Sequence, residues 1–141
     1  MSDITPTVAR LVACTEDARH ALGAAEVIVE RFPFKVGREC RTAATKVLMA
    51  VERRLRAAPQ LNNIYLVEPV MPHHMSSEHF LIDVTQQGTF VLTDRGSVCG
   101  TTVNGETIGG DRRGGHAELH GKDEIVVGTA DSPFVFEFRV E

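Results

Sequence analysis

Apolar and polar residues alternate along several short stretches of this chain, and turn residues separate the stretches. In segment 134–140, three phenylalanines occupy every second position, so one face of the segment is aromatic. A two-residue period is typical of a β-strand that turns one face towards the protein core. The same reasoning predicts further strands at 10–15, 26–34, 64–68, 79–84, 89–93, 101–104, 117–119 and 124–128. Pro33 is expected to place part of 26–34 at a sheet edge or in a kink.

The hydrophobic period changes in segment 42–58, where apolar residues follow the spacing i, i+3, i+4, i+7 and i+11. With Thr42 as its N-cap and Pro59 beyond its end, this segment is predicted to be an amphipathic helix of about four turns. The polar side of the helix is basic and carries Arg41, Lys46, Arg53, Arg54 and Arg56. Two interpretations remain open: an ordinary solvated face, or a positive surface beside an anion site.

Many short strands with one long helix predict an all-β fold, a two-sheet antiparallel β-sandwich with one inserted amphipathic α-helix. Residues 1–24 are assigned to an N-terminal segment that carries a first strand. Residues 16–25 have weak helical or loop character, which Gly23 interrupts. Residues 25–141 are assigned to the sandwich domain, with the helical insertion at 42–58.

Composition narrows the functional classes. The formal net charge of −4 argues against a general nucleic-acid binder. No apolar run approaches the length of about 18–20 residues that a transmembrane helix needs, so membrane insertion is not expected. The first residues also lack the pattern of a cleaved signal peptide. Cys14, Cys40 and Cys99 form no CxxC pair, which favours free thiols in the cytoplasm.

The histidines come from separate predicted elements and show no metal-ligand spacing, so we expect no metal and no cofactor. A Cys–His hydrolase would require Cys99 to be activated by a histidine and an orienting group. Nothing in the sequence demands that convergence, and the protein is not expected to be an enzyme.

Segment 76–105 combines a polar loop, two strands joined through Gly88, and a glycine-rich loop. Antiparallel pairing should bring loops 76–77 and 97–105 to the same edge of a sheet. Gly37 permits a tight turn and delivers Arg38 to the end of another strand. Loops gathered at one edge of a rigid sheet commonly form a binding site.

The ordered set of motifs resembles a forkhead-associated (FHA) domain. The motifs are Gly37-Arg38, Ser76-x-x-His79, Asp94 and Ser97 before Gly100-Thr101, Val103-Asn104-Gly105, and Asp123-x-Ile125-x-x-Gly128. Each motif alone is common, but their order and spacing make the combination specific.

The resemblance implies a β-sandwich that binds phosphothreonine peptides through the loops at one end. By that resemblance, the phosphate-binding residues are Arg38, Ser76 and Ser77, the peptide-contact loop contains Val98, Cys99 and Thr101, and the supporting residues are Gly37, His79, Gly100 and Asn104. A phosphate offers about −1.5 to −2 charges and three acceptor oxygens, which suit a guanidinium fork and a hydroxyl donor.

Two positions depart from the family pattern. Cys99 stands where the family usually has an asparagine that holds the peptide backbone, and Val98 stands where a polar residue is frequent. The predicted function is non-enzymatic recognition of phosphothreonine peptides in kinase-dependent signalling or assembly. The expected partner is a phosphorylated protein such as the substrate of a Ser/Thr kinase. The alternative is a scaffold domain of the same fold that binds partners without phosphate.

Overall fold

The computed structural model describes residues 8–39, 62–69 and 71–141. The described residues form one short helix, α1 (Glu16–Leu22), and eleven strands. The strands are β1 (Ala9–Ala13), β2 (Glu26–Val29), β3 (Phe34–Arg38), β4 (Ile64–Leu66), β5 (Phe80–Val84), β6 (Phe90–Asp94), β7 (Thr101–Val103), β8 (Glu106–Ile108), β9 (Gly115–Leu119), β10 (Asp123–Val127) and β11 (Val135–Val140). The predicted helix 42–58 lies outside the described residues.

The strands form two sheets, so the predicted β-sandwich is confirmed. The six-stranded sheet has the order β2-β1-β11-β10-β7-β8, and the five-stranded sheet has the order β4-β3-β5-β6-β9. Neighbouring strands run antiparallel except β3 and β4, which are parallel, so the second sheet is mixed. The first predicted strand, β1, lies inside the six-stranded sheet between β2 and β11.

The hydrophobic core contains the aromatic face of β11, as the alternation predicts. Phe136 and Phe138 have no exposed surface, and the ring of Phe138 packs edge-on against Phe90 of the other sheet, with 5.1 Å between the ring centroids. Burying a side chain of this size contributes about 1.5–3 kcal/mol to the stability of the fold. The two sheets are therefore held together by side chains that the sequence pattern already places on one face.

The segment 16–25 contains a true helix, which the sequence signalled only weakly. The Oγ1 of Thr15 accepts a hydrogen bond from Ala18 N, and the helix ends at Gly23 in the left-handed conformation (φ 76°). Ala18 and Ala21 are buried against the sandwich. Packing and both caps stabilise a helix that is too short to be stable alone. Within the described parts of the chain, no helix is long and apolar enough to cross a membrane.

The prediction of one strand over 26–34 is wrong. The structure has two strands there, β2 at the edge of the six-stranded sheet and β3 inside the five-stranded sheet. Residues 30–33 carry the chain between the sheets and include the cis peptide bond Phe32–Pro33. Because proline has no N–H to donate, the ladder cannot continue through position 33.

Strand pairing gathers four chain segments at one edge of the five-stranded sheet. Phe80 pairs with Asp94, which places the loop before β5 beside the β6–β7 loop and confirms the predicted meeting of these loops. Arg38 ends β3 and its N–H donates to Ser76 O at 2.9 Å. The β8–β9 loop joins this edge through hydrogen bonds to the β6–β7 loop.

Candidate functional site

An open depression of about 490 Å³ lies at this edge of the sheet. Its walls come from the end of β3, the segment before β5, the β6–β7 loop and the β8–β9 loop. The polar or exposed residues that matter for its chemistry are Arg38, Ser76, Ser77, Arg95, Val98 and Arg112.

Arg38 is oriented by the segment before β5. Its Nε donates a hydrogen bond to Met75 O at 3.0 Å, while its backbone N–H donates to Ser76 O. Within the described residues, the terminal nitrogens of the guanidinium have no hydrogen-bond or ion-pair partner. The side chain is thus held in place by one donor, and its remaining donors are available to an anionic ligand.

Gly37 leaves no space for a side chain between β3 and the loop that carries the two serines. A Cβ at this position would lie 1.9 Å from Ser77 O and 2.6 Å from the side-chain nitrogen of Asn62. Asn62 Nδ2 donates to the same carbonyl at 2.8 Å. The backbone of the loop therefore approaches β3 directly, and only glycine permits this contact.

Ser76 connects three parts of the site. Its Oγ accepts a hydrogen bond from Val98 N at 3.0 Å, and its own N–H donates to His79 Nδ1 at 3.0 Å. Among the described residues, nothing accepts the hydroxyl hydrogen of Ser76, so this donor remains for a ligand. The structure thus brings the predicted residues Arg38, Ser76 and Ser77 together around one depression.

His79 ties the two main loops to each other from inside the protein. The imidazole is fully buried, and its Nε2 lies 2.7 Å from Gly100 O. Because Nδ1 accepts from Ser76 N–H, the ring proton must be on Nε2, which donates to Gly100 O. Burial lowers the pKa of His79, and this outweighs the opposing effects of the Gly100 hydrogen bond and of the Asp94 charge. The neutral ring connects the backbone of the loop before β5 to that of the β6–β7 loop.

Asp94 organises the β6–β7 loop. Its buried carboxylate accepts hydrogen bonds from Gly96 N at 3.0 Å and Ser97 N at 2.8 Å, and from the hydroxyls of Ser97 at 2.6 Å and Thr101 at 2.8 Å. Ser97 Oγ in turn accepts from Gly100 N at 2.9 Å. These bonds satisfy a buried charge and hold the loop in one shape.

Thr101 does not belong with the predicted peptide contacts. The residue has no exposed surface, and its hydroxyl is used by Asp94. A side chain buried beneath the loop cannot touch a bound peptide. Gly100, a predicted supporting residue, has a left-handed φ of 85°, and a Cβ there would lie 3.0 Å from Ile108 O.

Asn104 supports a turn at the other end of β7. It has a φ of 49°, and its Oδ1 accepts from Glu124 N at 2.8 Å, which ties the β7–β8 turn to β10. Strand β7 separates this position from Gly100. The contact braces the hairpin and does not reach the depression.

Val98 and Cys99 occupy different positions relative to the depression. Val98 lines it and is 52% exposed, so an apolar surface stands beside Ser76. Cys99 is only partly exposed and does not contribute to the lining; its Sγ lies 3.7 Å from His73 O. The loop therefore presents no amide side chain at position 99 to a peptide.

Sequence reasoning missed two arginines of the depression. Arg95 donates from Nη1 to Asn62 Oδ1 and from Nη2 to Glu78 Oε1, each at 2.6 Å. Arg112 donates its backbone N–H to Ser97 O at 3.0 Å. In the sequence, Arg95 is only the residue that follows Asp94, and Arg112 is only one residue of the flexible loop 109–115. Neither position indicates that the side chain faces the site.

A second cavity of about 510 Å³ is mainly apolar and lies between α1, residues 67–69 and 71–74, and the two residues that precede β11. It shares Met71 and Pro72 with the depression. Glu68 fixes the segment between the two cavities, because its carboxylate accepts from His74 N and Met75 N at 2.9 Å and pairs with His74 Nδ1 at 2.7 Å. Burial alone would raise the pKa of Glu68, but these hydrogen bonds outweigh it and lower the pKa.

The FHA domain model of known protein families matches residues 53–128, slightly more than half of the chain. The match includes Ser76, His79 and the β6–β7 loop and begins beyond Arg38. No curated protein sequence matches the chain.

Several solved structures share the fold. Full-length yeast Pml1p is 17% identical with a TM-score of 0.63, and the match covers 100% of this chain and 87% of that chain. Mycobacterium tuberculosis EmbR in complex with a low-affinity phosphopeptide is 18% identical with a TM-score of 0.57 and coverages of 99% and 26%. The N-terminal FHA domain of S. cerevisiae Rad53p, in complex with a phosphothreonine peptide, is 19% identical with a TM-score of 0.50 and coverages of 94% and 91%.

Proposed function

Since the chain belongs to the FHA domain family, we propose that it is a non-enzymatic module that recognises phosphothreonine peptides and couples a kinase-dependent modification to binding or assembly. The depression at the loop edge is the proposed ligand site. Arg38, Ser76 and Ser77 are the proposed phosphate-binding residues.

The observation that carries this proposal is the pairing of an oriented guanidinium with a free hydroxyl donor. Arg38 is held by Met75 O and keeps its terminal nitrogens for a ligand, while Ser76 keeps its hydroxyl hydrogen. A phosphate accepts from both kinds of donor, and hydrogen bonds to a charged group contribute about 1.5–3 kcal/mol each. Both donors are fixed before the ligand arrives, which reduces the entropy lost on binding.

The contacts of the buried histidine support a binding function without catalysis. His79 uses both ring nitrogens in contacts with the backbone of its own loops, so it is not placed to accept a proton from a nucleophile. Cys99 contacts a carbonyl oxygen and not a base. These contacts favour a site that binds its ligand unchanged.

A phosphate-independent scaffold is the second candidate function, and Cys99 is the observation that favours it. A thiol cannot give the paired donor and acceptor that an amide gives to a peptide backbone. One similar structure is of the yeast Pml1 splicing factor and its integration into the RES complex, so a protein of this fold can take part in an assembly.

Peptide binding with and without phosphate separates the two functions. Titrating a degenerate phosphothreonine peptide library and its unphosphorylated counterpart should show binding only to the phosphorylated set. Arg38→Gln should weaken that binding at least about tenfold, because charge-assisted hydrogen bonds are lost. Arg19→Gln removes the same charge from the exposed end of α1 and should leave binding unchanged. Equal affinity for both libraries, or no effect of Arg38→Gln, would favour the scaffold function.

A further inference from the structure

The depression has more cationic groups than one phosphate site requires, and they are arranged in sequence along its edge. Arg38 contacts Met75 and Ser76, Ser76 contacts Val98, and the backbone of Val98 contacts the loop that carries Arg112. Arg112 is thus separated from Arg38 by two loop segments. Both arginines line the same depression as the exposed side chain of Val98.

The arginines of the depression differ in how far their donors are already used. Arg95 is engaged by Asn62 and by Glu78. Arg38 uses one side-chain donor for Met75 O. The guanidinium of Arg112 has no hydrogen bond or ion pair with any residue that the structure describes. All of its guanidinium donors therefore remain for a partner that the described residues do not supply.

Hydrogen bonds hold the backbone around Arg112, whereas its guanidinium makes none with the described residues. Asp111 N donates to Val98 O at 2.8 Å and Arg112 N donates to Ser97 O at 3.0 Å. Both residues have left-handed φ angles, 51° and 62°. The β6–β7 loop, itself held by Asp94, thus determines where the Arg112 side chain starts and keeps it at the rim of the depression.

We propose that Arg112 binds a second anionic group of the same peptide, either an acidic side chain or a second phosphate close to the phosphothreonine. This inference rests on the function proposed above. The peptide would be anchored by its phosphate at Arg38 and Ser76 and by the second anion at Arg112. That contact gives the site a second polar anchor on the side where Cys99 offers no amide group.

The test uses peptides that carry phosphothreonine in an otherwise alanine-rich sequence. One series places a single glutamate at each position from four before to four after the phosphothreonine, and a second series places phosphoserine there. The wild-type protein should prefer one glutamate position over the all-alanine peptide by about two- to fivefold, the strength of an exposed ion pair. A larger gain from phosphoserine at that position identifies a second phosphate as the better anion.

Arg113→Gln is the matched control for Arg112→Gln. Arg113 lies in the same loop and is exposed, with its guanidinium 3.9 Å from the Asp111 carboxylate, and it does not line the depression. Arg112→Gln should abolish the preference for the anionic position and leave binding of the all-alanine phosphopeptide within about twofold. Arg113→Gln should retain the preference, because its charge is not at the depression.

Three results would overturn the inference. The first is a wild-type protein that prefers no anionic position. The second is an Arg112→Gln variant that weakens the all-alanine phosphopeptide as strongly as the anionic one, which would place Arg112 on the phosphothreonine phosphate. The third is equal loss with Arg113→Gln, which would indicate general steering by charge. Failure of the proposed function itself would appear separately, as an Arg38→Gln variant that binds like wild type.

Discussion

At the scale of single residues, the site depends on groups that no local pattern identifies. The resemblance implies a supporting role for Gly37, but the residue lies within β3 and not in the expected tight turn, and what requires glycine there is the direct approach of Ser77 O. Thr101 shows the opposite outcome, since Val98 of the same loop lines the depression while the hydroxyl of Thr101 donates to the buried Asp94 carboxylate. Whether Arg112 or Arg113 meets the depression depends on backbone angles that the repeated arginines do not encode.

Gly37→Ala should destabilise the protein by about 1–3 kcal/mol, because the added methyl group overlaps a backbone carbonyl that cannot move without displacing β3 or the serine loop. Urea unfolding of the variant measures this loss. Gly121→Ala is the control, since a Cβ there would meet only Val140 at 3.9 Å, and its stability should stay within about 0.5 kcal/mol of wild type. A Gly37→Ala variant as stable as the Gly121→Ala variant would mean that the loop yields easily.

At the scale of elements, the strands were largely predictable because alternation and turn residues are local signals. The β5–β6 hairpin and the aromatic face of β11 follow directly from them. The sequence predicts a kink or an edge position at Pro33 but not the change of sheet within 26–34, because apolar residues continue at alternate positions across it. Sheet membership is decided by distant partners: β2 pairs with β1, and β3 pairs with β4 and β5.

Ser97→Ala should lower the free energy of unfolding by about 1–3 kcal/mol and also weaken phosphopeptide binding. The substitution removes one donor to the buried Asp94 carboxylate and leaves Gly100 N without its acceptor. Chemical denaturation and peptide titration on the same samples measure both effects. Thr129→Ala, which removes an exposed hydroxyl bonded to Asp131, should change neither quantity appreciably. Loss of stability without loss of binding would separate the loop's folding role from its role in recognition.

At the scale of the whole molecule, two buried side chains, His79 and Glu68, make the free energy of unfolding depend on pH. His79 is buried in its neutral form, and its pKa is lowered in the folded protein. As the pH falls below about 6.5, His79 is protonated in the unfolded chain while it is still neutral in the folded protein. Unfolding therefore becomes more favourable. Glu68 has a lowered pKa and contributes stability above its ordinary value of 4.5, which is lost as pH falls through the folded pKa.

The free energy of unfolding should accordingly decline from pH 7 to pH 5, and further below about pH 4.5. Denaturation at a series of pH values measures the decline. NMR titration of the imidazole signals tests the cause without a variant, because the His79 ring should remain neutral as the pH falls below 6.5. A His79 signal that titrates near pH 6.5 would contradict this account.

The hydrogen bonds around Asp94 also have a kinetic consequence. The β6–β7 loop is ordered by four donors to one carboxylate and by His79 from below, so its conformational entropy is lost during folding and not when a ligand arrives. Association should then be a single step limited by encounter, and it should be faster at low salt because the rim is cationic. Ligands that differ in affinity should differ mainly in residence time, which suits a module that samples many phosphorylated chains and retains a few.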